Sequence, residues 1–561
     1  MFSNSFPPAS PSPHERGLTV AQDTPFDLLV VGGGINGAGI ARDAAGRGLS
    51  VLLCEQDDLA AHTSSASTKL IHGGLRYLEY REFSLVRKAL QERETLLRAA
   101  PHIMWPLRFV MPHIPNLRPA WLIRAGLFLY DHLARREVLP GSRGIDLRTH
   151  PAGAPLVTSI RRGFVYSDGW VDDARLVVLN ALDASERGAR VMTRTKLASA
   201  TRVNGLWHAR LMNADGTALN VQARAIANAA GPWVGELLRD AIGRRTVGDP
   251  HNNSHDNPHD DLHEAASKPP HDSANHNRTH YAVRLVKGSH IVTRRLFEHD
   301  HAYIFQNPDK RIIFAIPYER DFTLIGTTDI EYRGDPSHVA ITAEETQYLC
   351  ESINRYFKRP ISPRDVVWTY SGVRPLLEDE NAGNPSAVTR DYRLELDHPD
   401  GAAPLLSVFG GKITTFRKLA EEALDEITRA LGTPAPAWTA GAPLPGGDIA
   451  HADFARYAAQ FEQHHPWLPA PLAHRYARAY GTRAARVIGE ARSLADLGHA
   501  FTPDLYEAEL RYLREVEWAR SAYDVLWRRT KLGLHVEPGT LDAVSRDIDA
   551  WLARETPARH L

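Results

Sequence analysis

Residues 27–56 read DLLVVGGGINGAGIARDAAGRGLSVLLCEQ, and this stretch decides the fold. Leu28–Val31 is a short apolar run of the kind a buried parallel strand needs. Gly32, Gly34 and Gly37 follow in G-x-G-x-x-G spacing. The first glycine makes the tight turn, the second lets backbone approach a pyrophosphate, and the third lets a helix pack closely on the strand. Asn36 sits within the same turn. Ile40–Gly48 reads as the helix, whose N-terminus offers unpaired N–H groups and a positive dipole end to a phosphate. Leu49–Cys54 reads as a second strand ending at Glu55. An acidic side chain about twenty residues beyond the glycines is placed to bond the ribose hydroxyls of an adenosine. A complete strand–turn–helix–strand–Glu unit points to a dinucleotide; the plainer alternative is a tight structural turn. Glu rather than Arg at 55 disfavours a 2′-phosphate, and the unit does not separate FAD from NAD, which share an ADP half.

With 561 residues, the chain has room for two or three domains. Hydrophobic residues at 43%, charged residues at 24% and a net charge of −1 are ordinary for a soluble enzyme and indicate no nucleic-acid partner. Cys54 and Cys350 give neither a disulfide framework nor zinc spacing, so no metal site is expected and a reducing cytosol fits. Residues 1–24 are Pro/Ser-rich without an apolar h-region and read as a disordered leader. No run of eighteen apolar residues exists to span a membrane.

Other segments add detail. His62–Tyr80, HTSSASTKLIHGGLRYLEY, sets Ser64, Ser65 and Ser67 beside Lys69, His72 and a glycine pair. This is good lining for a polar ligand, or else a Ser-rich surface loop. Ser84–Ala100 is an amphipathic helix. The apolar block Ala120–Tyr130, interrupted by Arg124 and flanked by Arg118, Arg135 and Arg136, suits either an interfacial helix or a packed helix with basic ends. Asp172 or Asp173 caps a helix ending near Gly188. Ala225–Ala230 reads as another buried strand, closed by Gly231-Pro232-Trp233, which brings backbone near the cofactor again. Residues 244–280 are polar and Pro-rich, with seven histidines from His251 to His280, and read as a disordered insertion. His251, His255, His259 and His263 would share one helix face and could catch a metal, but Pro258 interrupts them. From Tyr281 onward alternating runs suggest an antiparallel substrate sheet. LLSVFGGKITTFRKLAEEALDEI then repeats the strand–glycine–helix geometry at Gly410-Gly411. A linker begins near Pro434, and beyond it the chain is mostly helical, with a helix start at Thr502-Pro503 and Leu505, Ala508, Tyr512, Val516 and Ala519 on one face.

Six stretches in order, GGGINGAGIARDAAGRGLSV, TSSASTKLIHGGLRYLE, RLVKGSHIV, IGTTDIEY, WTYSGVRPL and SVFGGKITTFRKLAE, resemble the FAD-dependent, respiratory glycerol-3-phosphate dehydrogenases over residues 26–545. The resemblance implies an α/β fold: a Rossmann-type FAD-binding domain of the glutathione-reductase/D-amino-acid-oxidase kind, an antiparallel-sheet substrate domain and an all-α C-terminal domain. On this reading residues 25–433 form the oxidoreductase region and 434–561 the helical domain. It implies FAD, oxidation of sn-glycerol 3-phosphate to dihydroxyacetone phosphate by hydride transfer from C2 to flavin N5, and delivery of electrons to a membrane quinone. It also implies peripheral attachment to the inner face of the cytoplasmic membrane, and a homodimer. Ser64–Lys69 becomes the second contact region for the pyrophosphate and ribityl chain. The expected cofactor set is Gly32, Gly34, Asn36, Gly37, Glu55, Ser64, Ser65, Ser67, Lys69, His72, Gly231, Gly411, Lys412 and Thr414.

The substrate carries a phosphate dianion and a secondary alcohol. A dianion is best held by Arg, whose planar fork meets phosphate oxygens bidentately. Arg374 is the first candidate, followed by Arg390 and Lys412. Loss of the hydroxyl proton needs a base that titrates near working pH, and His290 and His72 are the candidates. Arg76 and Tyr77 are placed to orient the polyol, and Thr328 with Thr327 to close one wall. Two other readings share this architecture: a glycerol-3-phosphate oxidase using O2, and an amine or amino-acid oxidase. A flavin-binding scaffold without turnover is a third, from a different class.

Overall fold

A computed structural model of the chain describes residues 24–114, 119–242, 283–309, 311–377, 391–399 and 401–554. The insertion expected at 244–280, the leader up to residue 23, Arg118 and Arg390 lie outside the described residues, as does the side chain of Arg76.

Two large sheets dominate. The first has eight strands. At its centre Leu405–Gly410, Ala218–Asn228, Phe26–Val31, Val51–Cys54 and Arg190–Met192 lie side by side and parallel, with Tyr392–Asp397 antiparallel at one edge. Thr195–Val203 and Leu206–Asn213 add an antiparallel ribbon to Ala218–Asn228. Leu28, Leu29 and Val30 are wholly buried because apolar layers cover both faces, which is why this strand reads as a continuous apolar run. One of those layers comes from the helices Ile35–Gly46, Asp173–Glu186 and Phe416–Ala430.

The first helix begins at Ile35, five residues before the expected Ile40. Gly37 and Gly39 weaken helix propensity there, and packing overrides them. Asp172 is the cap of Asp173–Glu186, its side chain accepting from the Arg175 N–H at 3.2 Å, which leaves Asp173 available for other partners.

The second sheet has ten strands. Val283–Arg294 pairs antiparallel with Phe322–Gly326 and with Val366–Leu377. The sheet also recruits Leu70–Ile71, Met104–Pro112, Arg143–Asp146 and Arg162–Val171 from ahead of the insertion, and Ala302–Gln306 meets Met104–Pro112 in parallel. This sheet, expected to be antiparallel, is therefore mixed, and it is built from both halves of the chain.

Between Ile449 and Leu552 a separate apolar cluster forms among helices. Contrary to expectation, no helix starts at Thr502-Pro503. Ala500–Thr502 pairs with Leu505–Tyr506 in a small hairpin, and the helix runs Glu507–Val516. The residue before a proline is pushed to extended backbone, and Thr-Pro-Asp supplies a turn. This region is thus helical with one hairpin.

The helix Ala120–His132 buries Leu127 and Tyr130 and exposes Trp121 at 71% and Phe128 at 57%, with Leu122 and Leu129 exposed beside them. No helix among the described residues is long and apolar enough to cross a membrane.

Candidate active site

A cleft of about 510 Å³ runs between the two sheets, from Glu55 and Gln56 at one end, past the glycine turn, to Arg374 and Lys412 at the other. At the first end the glycines are forced by geometry. A Cβ on Gly32, whose φ is +109°, would lie 2.5 Å from the Ala229 carbonyl oxygen, and one on Gly37 would lie 1.9 Å from that of Gly32. Glu55 is buried; its carboxylate accepts from the N–H of Gly33 at 2.6 Å and of Asp57 at 2.8 Å, while burial pushes its pKa up. The Ser64 hydroxyl accepts from the Ile35 N–H at 3.0 Å, so the second contact segment closes onto the start of the first helix. Asn36 donates to the Gly410 carbonyl at 3.3 Å, and its buried Oδ1 has no partner among the described residues. A buried polar atom lining a cleft calls for a ligand donor.

The far end is built from charge. Arg374 on Val366–Leu377 pairs with Asp329 at 3.1 Å and reaches the Thr327 hydroxyl at 3.5 Å. Gly288 on the neighbouring strand makes room for it, since a Cβ there would meet the guanidinium at 2.6 Å. Lys412, just beyond Gly410-Gly411, places its ammonium 3.7 Å from the Tyr77 ring centre, a cation–π contact. The His72 N–H donates to the Thr414 hydroxyl at 3.2 Å.

Of the expected residues, Gly32, Gly34, Asn36, Glu55, Ser64, Ser67, His72, Tyr77, Gly231, Arg374, Gly411, Lys412 and Thr414 line the cleft together. Gly37, Ser65, Lys69, His290 and Thr328 do not line it. Gly37 packs on the turn from behind, and Ser65 donates to the His62 carbonyl at 3.3 Å. The Lys69 ammonium is buried against Asp173 at 2.8 Å and anchors the segment from beneath. Thr328 accepts from the Ser289 N–H and donates to Glu345, both at 2.9 Å, so its neighbour Thr327 supplies the wall instead. His290 is 1% exposed, stacked on Tyr370 with ring centres 4.7 Å apart. Its Nε2 sits 3.0 Å from the Thr68 hydroxyl, and Thr68 itself lines the cleft. Burial first, then the Lys69 and Arg374 charges, hold the His290 pKa well below the usual 6.5.

Sequence reading passed over Asp329 and Asp168, and took Thr68 only as part of the Ser64–Lys69 segment; all three are on the cleft wall. The acidic residue following Thr327-Thr328 was the available signal for Asp329. Glu55, Asp57 and His62 converge closely enough for a cation, but Glu55 already serves two backbone donors and Asp57 bonds His62 at 2.8 Å, so no metal site is read there.

A family model described as FAD dependent oxidoreductase matches residues 27–255 and 265–417. The chain belongs to that family. Its glycine turn, its buried Glu55 and its long cleft fit the FAD that the family requires. A second model, the C-terminal domain of alpha-glycerophosphate oxidase, matches residues 437–555 of this FAD oxidoreductase. Among similar proteins, the glycerol-3-phosphate dehydrogenase of Pseudomonas aeruginosa is 53% identical, with 91% of this chain and 93% of that protein covered. The aerobic glycerol-3-phosphate dehydrogenase of Escherichia coli is 49% identical over 95% and 98%. A D-erythritol 1-phosphate dehydrogenase of Brucella abortus is 51% identical over 92% and 96%. The solved glycerol-3-phosphate dehydrogenase of Bacillus halodurans complexed with FAD superposes with a TM-score of 0.71 at 26% identity, covering 95% of this chain and 90% of that one.

Proposed function

We propose that this FAD oxidoreductase oxidises sn-glycerol 3-phosphate to dihydroxyacetone phosphate and passes the electrons to a membrane quinone. The observation that carries the reading is one cleft joining the glycine turn to the Arg374–Lys412 cations. The substrate names of the relatives at about half identity support it. Bound FAD supplies the acceptor for the hydride that leaves C2.

The chain's own residues do the rest. Gly32, Gly34 and the Ser64–Ser67 segment present backbone and hydroxyl groups to the pyrophosphate, and Glu55 takes the ribose hydroxyls. Asn36, Gly231, Gly411 and Thr414 line the way to the ring. Arg374, steadied along one edge by Asp329, grips the substrate phosphate, and Lys412 adds a second positive charge. Arg390 belongs to the same proposed cationic set, and Arg76 helps to orient the polyol. Tyr77 and Thr327 orient the polyol. His72, which lines the cleft, takes the hydroxyl proton; His290 does not line it and bonds Thr68, which does. A His72→Asn variant that retains wild-type kcat, alongside an inactive His290→Asn, would reverse that assignment.

Attachment to the inner face of the cytoplasmic membrane is part of the reading. Trp121, Leu122, Phe128 and Leu129 form the exposed apolar face of Ala120–His132, and Arg124, Arg135 and Arg136 supply positive charge for anionic headgroups. The buried side of that helix packs in the same apolar cluster as Leu75, Ile304, Ile312 and Phe314, four residues of the cleft wall, which gives an apolar quinone ring a surface near the membrane side. A homodimer, and a boundary between the oxidoreductase region and the helical domain near residue 434, complete the proposal; sedimentation of the holoenzyme checks the first and limited proteolysis the second.

The deciding experiment is anaerobic addition of glycerol 3-phosphate to the purified yellow protein. Bleaching of the flavin band is expected, and a band that stays oxidised refutes the substrate assignment. A four-carbon polyol phosphate is a second reading, favoured by the Brucella relative. It gains if erythritol 1-phosphate bleaches the flavin faster. Peroxide release during aerobic turnover would instead favour an oxidase.

A further inference from the structure

Within five consecutive residues of the helical C-terminal region, Trp527-Arg528-Arg529-Thr530-Lys531, side chains pack against three separate segments that adjoin the cofactor cleft from behind, at Asp58, Asp172 and Trp368. Asp58, in the loop just after Glu55, is buried, and its carboxylate accepts from Arg528 Nε at 2.7 Å and from both Arg529 terminal nitrogens, at 2.5 and 2.8 Å. Asp524, one turn earlier, pairs with Arg528 and holds Arg194 at 2.6 Å. The Arg194 N–H donates to the Asp57 carbonyl, and the Thr195 N–H to that of Glu55, each at 2.7 Å. The ribose loop 55–58 is therefore stapled from two sides, and both staples end on the same C-terminal turn.

Lys531 reaches the second piece. It is 2% exposed, and its ammonium lies 3.7 Å from Asp172. The adjoining Asp173 accepts from the Ser67 N–H at 3.1 Å, the Ser67 hydroxyl at 2.7 Å and the Lys69 ammonium at 2.8 Å, so it fixes the segment that faces the pyrophosphate. Lys531 adopts φ +65°, a left-handed backbone that glycine would occupy more easily. Trp527 reaches the third piece, stacking on Trp368 at 4.8 Å; Trp368 lies 5.1 Å from Tyr370, against which His290 stacks.

We propose that Trp527–Lys531 is a cofactor latch: Arg528, Arg529 and Lys531 are positioning residues that hold the ribose loop and the pyrophosphate segment at the separation FAD needs, and so set how tightly FAD is retained. Asp58 is shared by two guanidinium groups, so shortening or removing one strips a buried carboxylate of part of its charge compensation and its bidentate hydrogen bonds, and the loop that carries it shifts. The proposal concerns cofactor retention, so it does not depend on which polyol phosphate is oxidised.

The test is flavin release from diluted holoenzyme, followed by the fluorescence of free FAD, for Arg529→Lys, Lys531→Met and Glu509→Gln. Glu509 is the control. It is buried within the C-terminal region against Arg475 at 2.7 Å and Tyr480 at 2.6 Å, away from the latch, so its loss destabilises that region without touching Asp58 or Asp172. Release is expected to quicken by about 5–150-fold in the two latch variants, the span of ordinary coupling between sites, and to stay near the wild-type rate in Glu509→Gln even where its Tm falls as far. Wild-type release in both latch variants would overturn the proposal. So would release that simply tracks Tm across all three proteins, which would mark the contact as general interdomain adhesion. Should Arg529→Lys fail to fold, Lys531→Met, which removes one charge and leaves Asp58 paired, decides alone.

Discussion

At the glycine-turn end the cleft is lined largely by one strand–turn–helix–strand unit, residues 27–56, joined by Ser64 and Ser67, and the surrounding backbone leaves no space for a Cβ on Gly32 or Gly37. At the Arg374–Lys412 end the lining groups are side chains from separate segments, the phenol ring of Tyr77 together with the charged groups of Asp329, Arg374 and Lys412. The first end recognises by shape and tolerates almost no added atom. The second recognises by charge, and each of its contacts can be weakened separately. Binding an invariant cofactor suits the first design, and grading a family of phosphorylated polyols suits the second.

The largest effect should come from violating the shape. In Gly37→Val the added Cβ would fall 1.9 Å from the Gly32 carbonyl oxygen, so the purified variant should contain no bound flavin by absorbance. Next, Arg374→Ala should cost about 2–4 kcal/mol in kcat/KM for glycerol 3-phosphate, on the order of 30- to 1,000-fold, with flavin still bound. Unchanged steady-state kinetics in that variant would remove Arg374 from the phosphate site. Phe128→Glu, outside the cleft altogether, should lower affinity for anionic vesicles by about tenfold or more, as vesicle flotation would measure.

The smallest effect is in the pH dependence of stability, where the two ends oppose each other. The His290 pKa is depressed in the folded state, so its contribution to stability is present above about pH 6.5, the unfolded value, and is lost as pH falls through the folded value. His290→Asn should flatten the acid-side loss of Tm. Glu55 is raised by burial, so its contribution is present below 4.5 and is lost as pH rises through the folded value. Glu55→Gln should therefore raise the Tm of flavin-free protein at pH 7 while weakening FAD binding. A Tm profile that Glu55→Gln leaves unmoved would show that the buried carboxylate carries no strain.

The nucleotide end was legible because its signals are local: an apolar run, three spaced glycines and an acid at a fixed interval all lie within one unit. Even there the helix start was misplaced, since Gly37 and Gly39 hide the first turn from propensity. The substrate end was partly legible. Arg374 and Lys412 stood beside glycines, but nothing in the chain says that His290 would be covered by Thr68 and Tyr370 while His72 faces the cleft, because strand alternation gives a face and not what overlies it. The latch was illegible. Asp58 and Arg529 are ordinary charged residues in sequence, and only the fold brings them together across 471 positions.

Tyr130 belongs to the exposed helix Ala120–His132, yet its hydroxyl accepts from the Gly73 N–H at 2.8 Å and donates to Asp168 at 2.7 Å. The loop that carries His72 is thus moored to the same rod whose outer side shows Trp121 and Phe128. The Gly73 N–H, the Tyr130 phenol and the Asp168 carboxylate form one buried chain of hydrogen bonds that ties this outward-facing rod to the wall of the cleft.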